Sequence, residues 1–300
     1  MPRPVVRAAA QRHAAFSSPV PDERKTVPDQ VLRVQSVLTA RDHQLLDWLF
    51  DHGVLTTGQI AEALFPSLDF AQHRLQRLIA LKVVDRFRPF RAEGGSYPFH
   101  YVIDQLGAEV VAAQRDESVP RPGYAKAIRR RWTASRILQH RLGVNGFFTQ
   151  LAGHSAHELQ RWWSESRCSV PGAFAGPGDR VELITQTLIR PDGHGVWSGV
   201  PFFLEYDTGG EPLTELLRKL AGYARFTALG GPAWPVLLWL HSPDREHHLH
   251  QRLADLGPLG TPVATAARVP GVHAATGPWW LHGLPGPLAL ADLPIGGIRP

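Results

Sequence analysis

With only one cysteine, Cys168, in 300 residues, the chain can form no internal disulfide and build no cysteine-rich zinc site. A lone thiol fits a reducing compartment and reads as a small buried hydrophobe, so a cytoplasmic protein is the expectation. No apolar run reaches the roughly eighteen residues of a membrane-spanning helix, and no membrane partner is expected. There is no Walker-type phosphate loop and no Gly-x-Ser-x-Gly elbow, and Gly193-His194-Gly195 with Gly199 misses the dinucleotide spacing. His247, His248 and His250 spread over more than one face of a predicted helix, which favours a solvated surface over a metal site. Acids are also unevenly missing. None precedes Asp22, and none lies between Ser118 and His157, where Arg121, Lys126, Arg129, Arg130, Arg131, Arg136 and Arg141 occur. With a formal net charge of +5, an acidic partner such as nucleic acid follows.

What is present divides into segments. Residues 1–38 are rich in Ala, Pro and Arg and read as a disordered basic arm, with Arg3, Arg7 and Arg12 available to phosphates. Residues 39–115 carry three helices and a hairpin. Thr39 with Asp42 is a capping-box pattern ahead of Leu45, Leu46, Leu49 and Phe50, and Gly53 ends that helix. Thr56 or Thr57 with Gln59 starts a second, which Pro66 stops. A third begins near Asp69 and buries Ala71, Leu75, Leu78 and Ile79, with His73, Gln76 and Arg77 opposite, Gln72 and Arg74 on the flanks, and no large apolar residue outside. Strands at Val83–Phe90 and Phe99–Ile103 flank a glycine-containing tip, and a helix over Gln105–Arg115, capped by Asp104, closes the unit. This is the pattern of a winged helix-turn-helix that binds double-stranded DNA. Gln72, His73, Gln76 and Arg77 would face base edges, and Arg88 and Arg91 would reach backbone phosphate.

A Pro-containing linker, 116–125, leads to a second domain, 126–268. Ile128, Trp132, Ser135, Leu138 and Leu142 have helical spacing, so Arg129, Arg130 and Arg131 would project from one long basic helix toward DNA. His140 and Asn145 on it read as helix-end caps. Strands are expected near Leu159–Trp163, Val181–Ile189, Phe202–Leu204, Pro235–His241 and Pro262–Arg268, and helices around Lys219 and over Asp244–Leu256. Residues 269–300 are Gly- and Pro-rich, with Trp279-Trp280 as a surface anchor.

The chemistry-bearing stretch runs from Arg190 to Phe226. Asp192 lies thirteen positions before Glu205, Glu205 and Asp207 share one strand face, and Lys219 and Tyr223 stand one helical turn apart. The string Pro191-Asp192…Glu205-Tyr206-Asp207 resembles the active-site motif of the PD-(D/E)xK nuclease superfamily, with Asp207 where the lysine is usual and Lys219 as its stand-in. The spacing of Lys219 and Tyr223 is similar to the Gln-x-x-x-Tyr helix of the RecB-like branch. The resemblance implies a restriction-endonuclease-like α/β domain with Mg²⁺ held by Asp192 and Glu205, and Asp207, Lys219 and Tyr223 in the catalytic set. From Thr56-Thr57-Gly58-Gln59-Ile60 through Arg74-Leu75-Gln76-Arg77-Leu78, His140, Val144-Asn145 and the two motifs above, the chain resembles the replication-relaxation family of actinobacterial plasmids and integrative elements. That family implies a role in plasmid replication and DNA relaxation beside a relaxase or replication initiator, and a homodimer is a further expectation. Three functions fit these residues: a Mg²⁺-dependent nicking enzyme, a non-catalytic origin-binding factor with a degenerate site, and a transcriptional regulator.

Overall fold

The computed structural model describes residues 27–89, 96–185 and 189–296. Arg3, Arg7, Arg12 and Arg91 lie outside them. The fold is mixed α and β, and the chain divides into two compact units at Val37/Leu38. The first carries α1 (Val27–Gln35). The basic arm expected to be disordered is therefore helical over this part, where Val31 and Val34 stand one turn apart.

The second unit opens with α2 (Ala40–His52), β1 (Leu55–Thr56), α3 (Thr57–Leu64), α4 (Leu68–Ala80), β2 (Val84–Phe87), β3 (His100–Ile103) and α5 (Gln105–Gln114). Local chemistry explains the boundaries. The Thr39 hydroxyl accepts the Asp42 N–H while the Asp42 carboxylate accepts the Thr39 N–H, and Thr56 with Gln59 repeats the reciprocal cap on α3. The fully buried Asp42 also receives a bidentate pair from Arg74, which locks α4 to α2 and turns Arg74 away from the outer face. The three strands form an antiparallel sheet in the order β1-β3-β2. Strand β1, only two residues long, was not legible. The outer face of α4 is not free of large apolar residues: the helix begins at Leu68, and Leu68 and Phe70 in its first turn are exposed.

The expected single arginine helix is two, α6 (Tyr124–Thr133) and α7 (Leu138–His154). Between them the Ser135 hydroxyl accepts the Ile137 N–H, a local bond that competes with helix continuation. The remaining elements are β4 (Leu159–Ser164), the short turns α8 (Glu165–Cys168) and α9 (Val181–Ile184), β5 (Gly193–Trp197), β6 (Val200–Tyr206), α10 (Leu213–Ala228), β7 (Val236–Leu240), α11 (Pro243–Ala254), β8 (Val263–Ala267), β9 (Trp279–Leu281) and β10 (Pro287–Leu288). They build a seven-stranded sheet in the order β10-β9-β8-β7-β6-β5-β4, parallel between β6, β7 and β8 and antiparallel elsewhere.

Two strand assignments change. Val181–Ile184 is a helical turn, and the strand lies at Gly193–Trp197, where glycines had suggested only a turn. Those glycines are packing devices: a Cβ on Gly195 would meet the Phe202 ring at 2.4 Å, and one on Gly193 the Phe148 ring at 2.7 Å. The C-terminal segment adds β9 and β10 to the sheet, with Trp279 fully buried and only Trp280 at the surface.

Side chains alternate across the sheet and make two cores. On one face Val144, Phe147, Phe148 and Leu151 of α7 pack on Phe202, Leu204, Leu237, Trp239 and Trp279. On the other, Leu216, Leu220, Tyr223 and Phe226 of α10, with Leu249 and Leu253 of α11, cover Phe203, Val236, Leu238 and Val263. The central strand β7 is buried at every position, as a strand covered on both faces must be. Among the described residues no helix is long and apolar enough to cross a membrane.

Candidate functional site

The hairpin β5–β6 sets the site. Its register pairs Gly193 with Leu204, so the next step outward brings Asp192 opposite Glu205. The thirteen-residue separation is thus folded to neighbouring positions at one end of the sheet. Asp192 Oδ2 accepts the Tyr206 backbone N–H at 2.8 Å, which fixes the carboxylate, and Oδ1 accepts from His140 Nε2 at 3.0 Å. Glu205 points to the α10 face. Its Oε1 accepts the Tyr223 hydroxyl at 2.6 Å and its Oε2 lies 3.2 Å from Lys219 Nζ, which also reaches Glu211 at 3.1 Å. Asp192, Glu205, Lys219 and Tyr223 therefore converge, joined by His140.

His140 had been read as a cap. It comes from the first turn of α7, 52 positions before its partner, and no local spacing signals the pair. Asn145 instead donates to the Val54 carbonyl at 2.7 Å, tying α7 to the segment after α2. Gly143 lets α7 approach β6, since a Cβ there would meet the Tyr206 ring at 2.1 Å. Replacing Gly143 by alanine is expected to cost about 1–3 kcal/mol. It should also loosen the His140–Asp192 bond by pushing α7 off Tyr206. Urea unfolding gives the first quantity, and the His140 titration followed by NMR gives the second.

Asp207 does not join the group. Its carboxylate, 2% exposed, accepts from Arg245 Nε at 2.6 Å and Nη2 at 2.8 Å, and its backbone carbonyl accepts from Arg268. Arg268 in turn lies 4.0 Å over the Tyr206 ring. Arg245 and Arg268 lie 38 and 61 positions from Asp207, and Glu211 reaches Lys219 from outside α10, so no helical or strand spacing signals the three.

Electrostatics follow from burial. Burial, with the facing Asp192 charge, raises the Glu205 carboxyl to about 7, against the opposing pull of Lys219 and Tyr223. The Asp192 hydrogen bond raises His140 above its ordinary value. Burial acts against the Lys219 ammonium, and the Glu205 and Glu211 charges overcome it, so its pKa rises. Burial and Glu205 raise the Tyr223 hydroxyl well above its usual range, keeping it a donor. Glu205 and His140 have the same consequence for stability. A folded chain that holds these protons more tightly than the unfolded one gains most below their ordinary values, and the gain is lost as pH rises through the folded values. Glu205 alone is thus expected to contribute about 3 kcal/mol that is lost between about pH 5 and about pH 8 in metal-free protein, while His52 and His194, held below the ordinary imidazole value by burial, add stability as pH rises through the lower part of that range. The stability difference between wild type and Glu205→Gln, from melting curves recorded with a chelator, isolates this contribution and should fall as pH rises through that range.

Among the described residues no cluster of three or more His, Cys, Asp or Glu side chains has metal-binding geometry. Asp192 and Glu205 do supply two hard oxygen donors at neighbouring positions of the β5–β6 hairpin. Mg²⁺ commonly takes about one or two carboxylates and otherwise keeps its waters, so the donor set fits a sparsely ligated Mg²⁺ and not a full protein cage. Cys168 is buried and its thiol is pushed up to about 12, which makes it inert.

In the N-terminal half, Gln72, His73, Gln76 and Arg77 are exposed along α4, with His73 Nδ1 3.0 Å from the Asp69 carbonyl, and Arg88 is exposed beyond β2. Arg129, Arg130 and Arg131 are exposed on α6. Arg129 pairs with Asp85 at 3.3 Å, and Arg131 lies 5.1 Å over Trp132.

No curated protein and no solved structure matches the chain significantly. The sequence profile described as replication-relaxation matches residues 46–237, well over half of the chain and including His140, Asp192, Glu205, Lys219 and Tyr223. The chain therefore belongs to the replication-relaxation family.

Proposed function

We propose that this chain is a DNA-binding protein of plasmid replication and relaxation that nicks DNA with Mg²⁺ at the Asp192–Glu205–Lys219 site. The observation that carries this reading is the approach of Lys219 Nζ to within 3.2 Å of Glu205, beside Asp192. An acid, a second acid and a lysine gather there although Asp207 occupies the usual lysine position. The order α7, β4, β5, β6, α10, β7 supports a restriction-endonuclease-like core, and three helices with a β1-β3-β2 sheet support a winged helix. The surfaces of α4 and α6 would then meet duplex DNA through Gln72, His73, Gln76, Arg77, Arg88 and Arg129–Arg131.

Asp192 and Glu205 would hold the ion, which when bound supplies Lewis-acid stabilisation of the scissile phosphate and an acidified water. Lys219 is placed to neutralise charge developing on the phosphate. Tyr223 orients Glu205, and His140 orients Asp192 and can hold a proton at Nε2. The engagement of every Asp192 and Glu205 oxygen favours a second reading, a non-cutting origin-binding factor that keeps the fold as a scaffold. Supercoiled plasmid carrying the element's origin separates the two. Mg²⁺-dependent conversion to open circle, lost in Asp192→Asn at matched DNA binding, is the expected result. Tight binding with no nicking in Mg²⁺ or Mn²⁺ leaves the second reading.

A further inference from the structure

A concave site beside α4 lies apart from the two-carboxylate centre. A cleft of about 380 Å³ opens between α4, the start of α3 and the β2–β3 pair, with Gln72, Gln76, Arg86, Arg88, Phe99 and Tyr101 among its walls. Arg86 and Arg88 are two positions apart and project from the same side. Both guanidinium carbons sit 3.9 Å from the centre of the Phe99 ring. No ion pair among the described residues joins either one to a carboxylate, and the neighbouring Asp85 is engaged by Arg129. Two like charges pinned on one ring, with no acid paired to either among the described residues, call for an anion. A phosphate alone would leave the apolar floor of Phe99 and Tyr101 unused, and the amides of Gln72 and Gln76 among the walls match the edge of a base.

We propose that this cleft takes a single unpaired nucleotide of the DNA strand, with its phosphate on Arg86 and Arg88. Its base would lie against the guanidinium planes and the apolar floor, with Gln72 and Gln76 at its edge. A paired base has both faces covered by its neighbours and its pairing edge occupied, so only a nucleotide swung out of the duplex can enter such a pocket. The inference rests on the DNA-binding reading of this half of the molecule. It adds that the preferred DNA is locally unpaired.

The test uses the full chain and two duplexes of one sequence, one fully paired and one with a single bulged 2-aminopurine, compared by anisotropy at fixed salt. About ten-fold tighter binding of the bulged duplex, with a change in 2-aminopurine emission, is expected. Phe99→Leu and, separately, Arg86→Met should bring the ratio of the two affinities close to one, whatever happens to either affinity alone. Equal binding of both duplexes by the unaltered protein overturns the pocket while the DNA-binding reading stands. Failure to bind either duplex overturns both.

Discussion

Glu205→Gln is expected to lower Mg²⁺-dependent nicking by about a thousand-fold while plasmid binding persists. The substitution is nearly isosteric and keeps the acceptor for the Tyr223 hydroxyl, now 2.6 Å from Oε1. Lys219 loses one partner but retains Glu211 at 3.1 Å. The fold thus survives, and what disappears is one of the two negative charges that make the site attractive to a divalent cation. Lys219→Met should behave differently. It leaves both carboxylates in place, so metal affinity is retained or raised, and the loss of about a hundred-fold falls on the chemical step. Single-turnover nicking across a Mg²⁺ titration distinguishes the two, because excess metal partly rescues Glu205→Gln and does not rescue Lys219→Met. Equal activity in all three proteins would remove the site from the chemistry.

Asp207→Ala is expected to destabilise the protein by about 3–5 kcal/mol, the usual cost of removing one partner from a buried ion pair. The Asp207 side chain is 2% exposed and that of Arg245 15%, and two hydrogen bonds join them, so Arg245 would be left charged and undersatisfied beneath the surface. Arg245→Met on the same background should recover part of the loss, since an apolar pair needs no counter-charge. Urea denaturation of the four proteins of the cycle gives the coupling energy. Asp207→Lys, which would restore the nuclease pattern in sequence, should instead be severely destabilising, because it sets an ammonium against Arg245. Full stability in Asp207→Ala would mean that the Arg245 pair contributes nothing.

This outcome for Asp207 shows where the sequence was informative. Interactions closed within one turn or one helix were legible: the Thr39–Asp42 and Thr56–Gln59 caps, and the one-turn spacing of Lys219 and Tyr223. The shared face of Glu205 and Asp207 was also right, since Glu205 meets α10 and Asp207, just past β6, meets α11 on the same side of the sheet, yet each found a different partner. Strand parity fixes a face and leaves partners open, and Arg245 enters from another helix 38 positions on. His140 was hidden for the same reason. Strand β5 escaped because Gly193 and Gly195 look like turn residues until the Phe148 and Phe202 rings that need the space are known. The C-terminal strands escaped because glycine and proline dominate the segment around the short apolar runs that pair.

The central claim is that Asp192 and Glu205 form a divalent-metal site, and Mn²⁺ titration followed by electron paramagnetic resonance tests it most directly, with Mg²⁺ as competitor. The account predicts one Mn²⁺ per chain, displaced by Mg²⁺, with an affinity that weakens as pH falls below about 7, where a proton competes with the ion for Glu205. It also predicts loss of that ion in Asp192→Asn and in Glu205→Gln. A chain that stays folded and leaves all Mn²⁺ free would contradict the account. The carboxylates, Lys219 and His140 would then be a closed ion-pair network that holds α7 and α10 to the sheet.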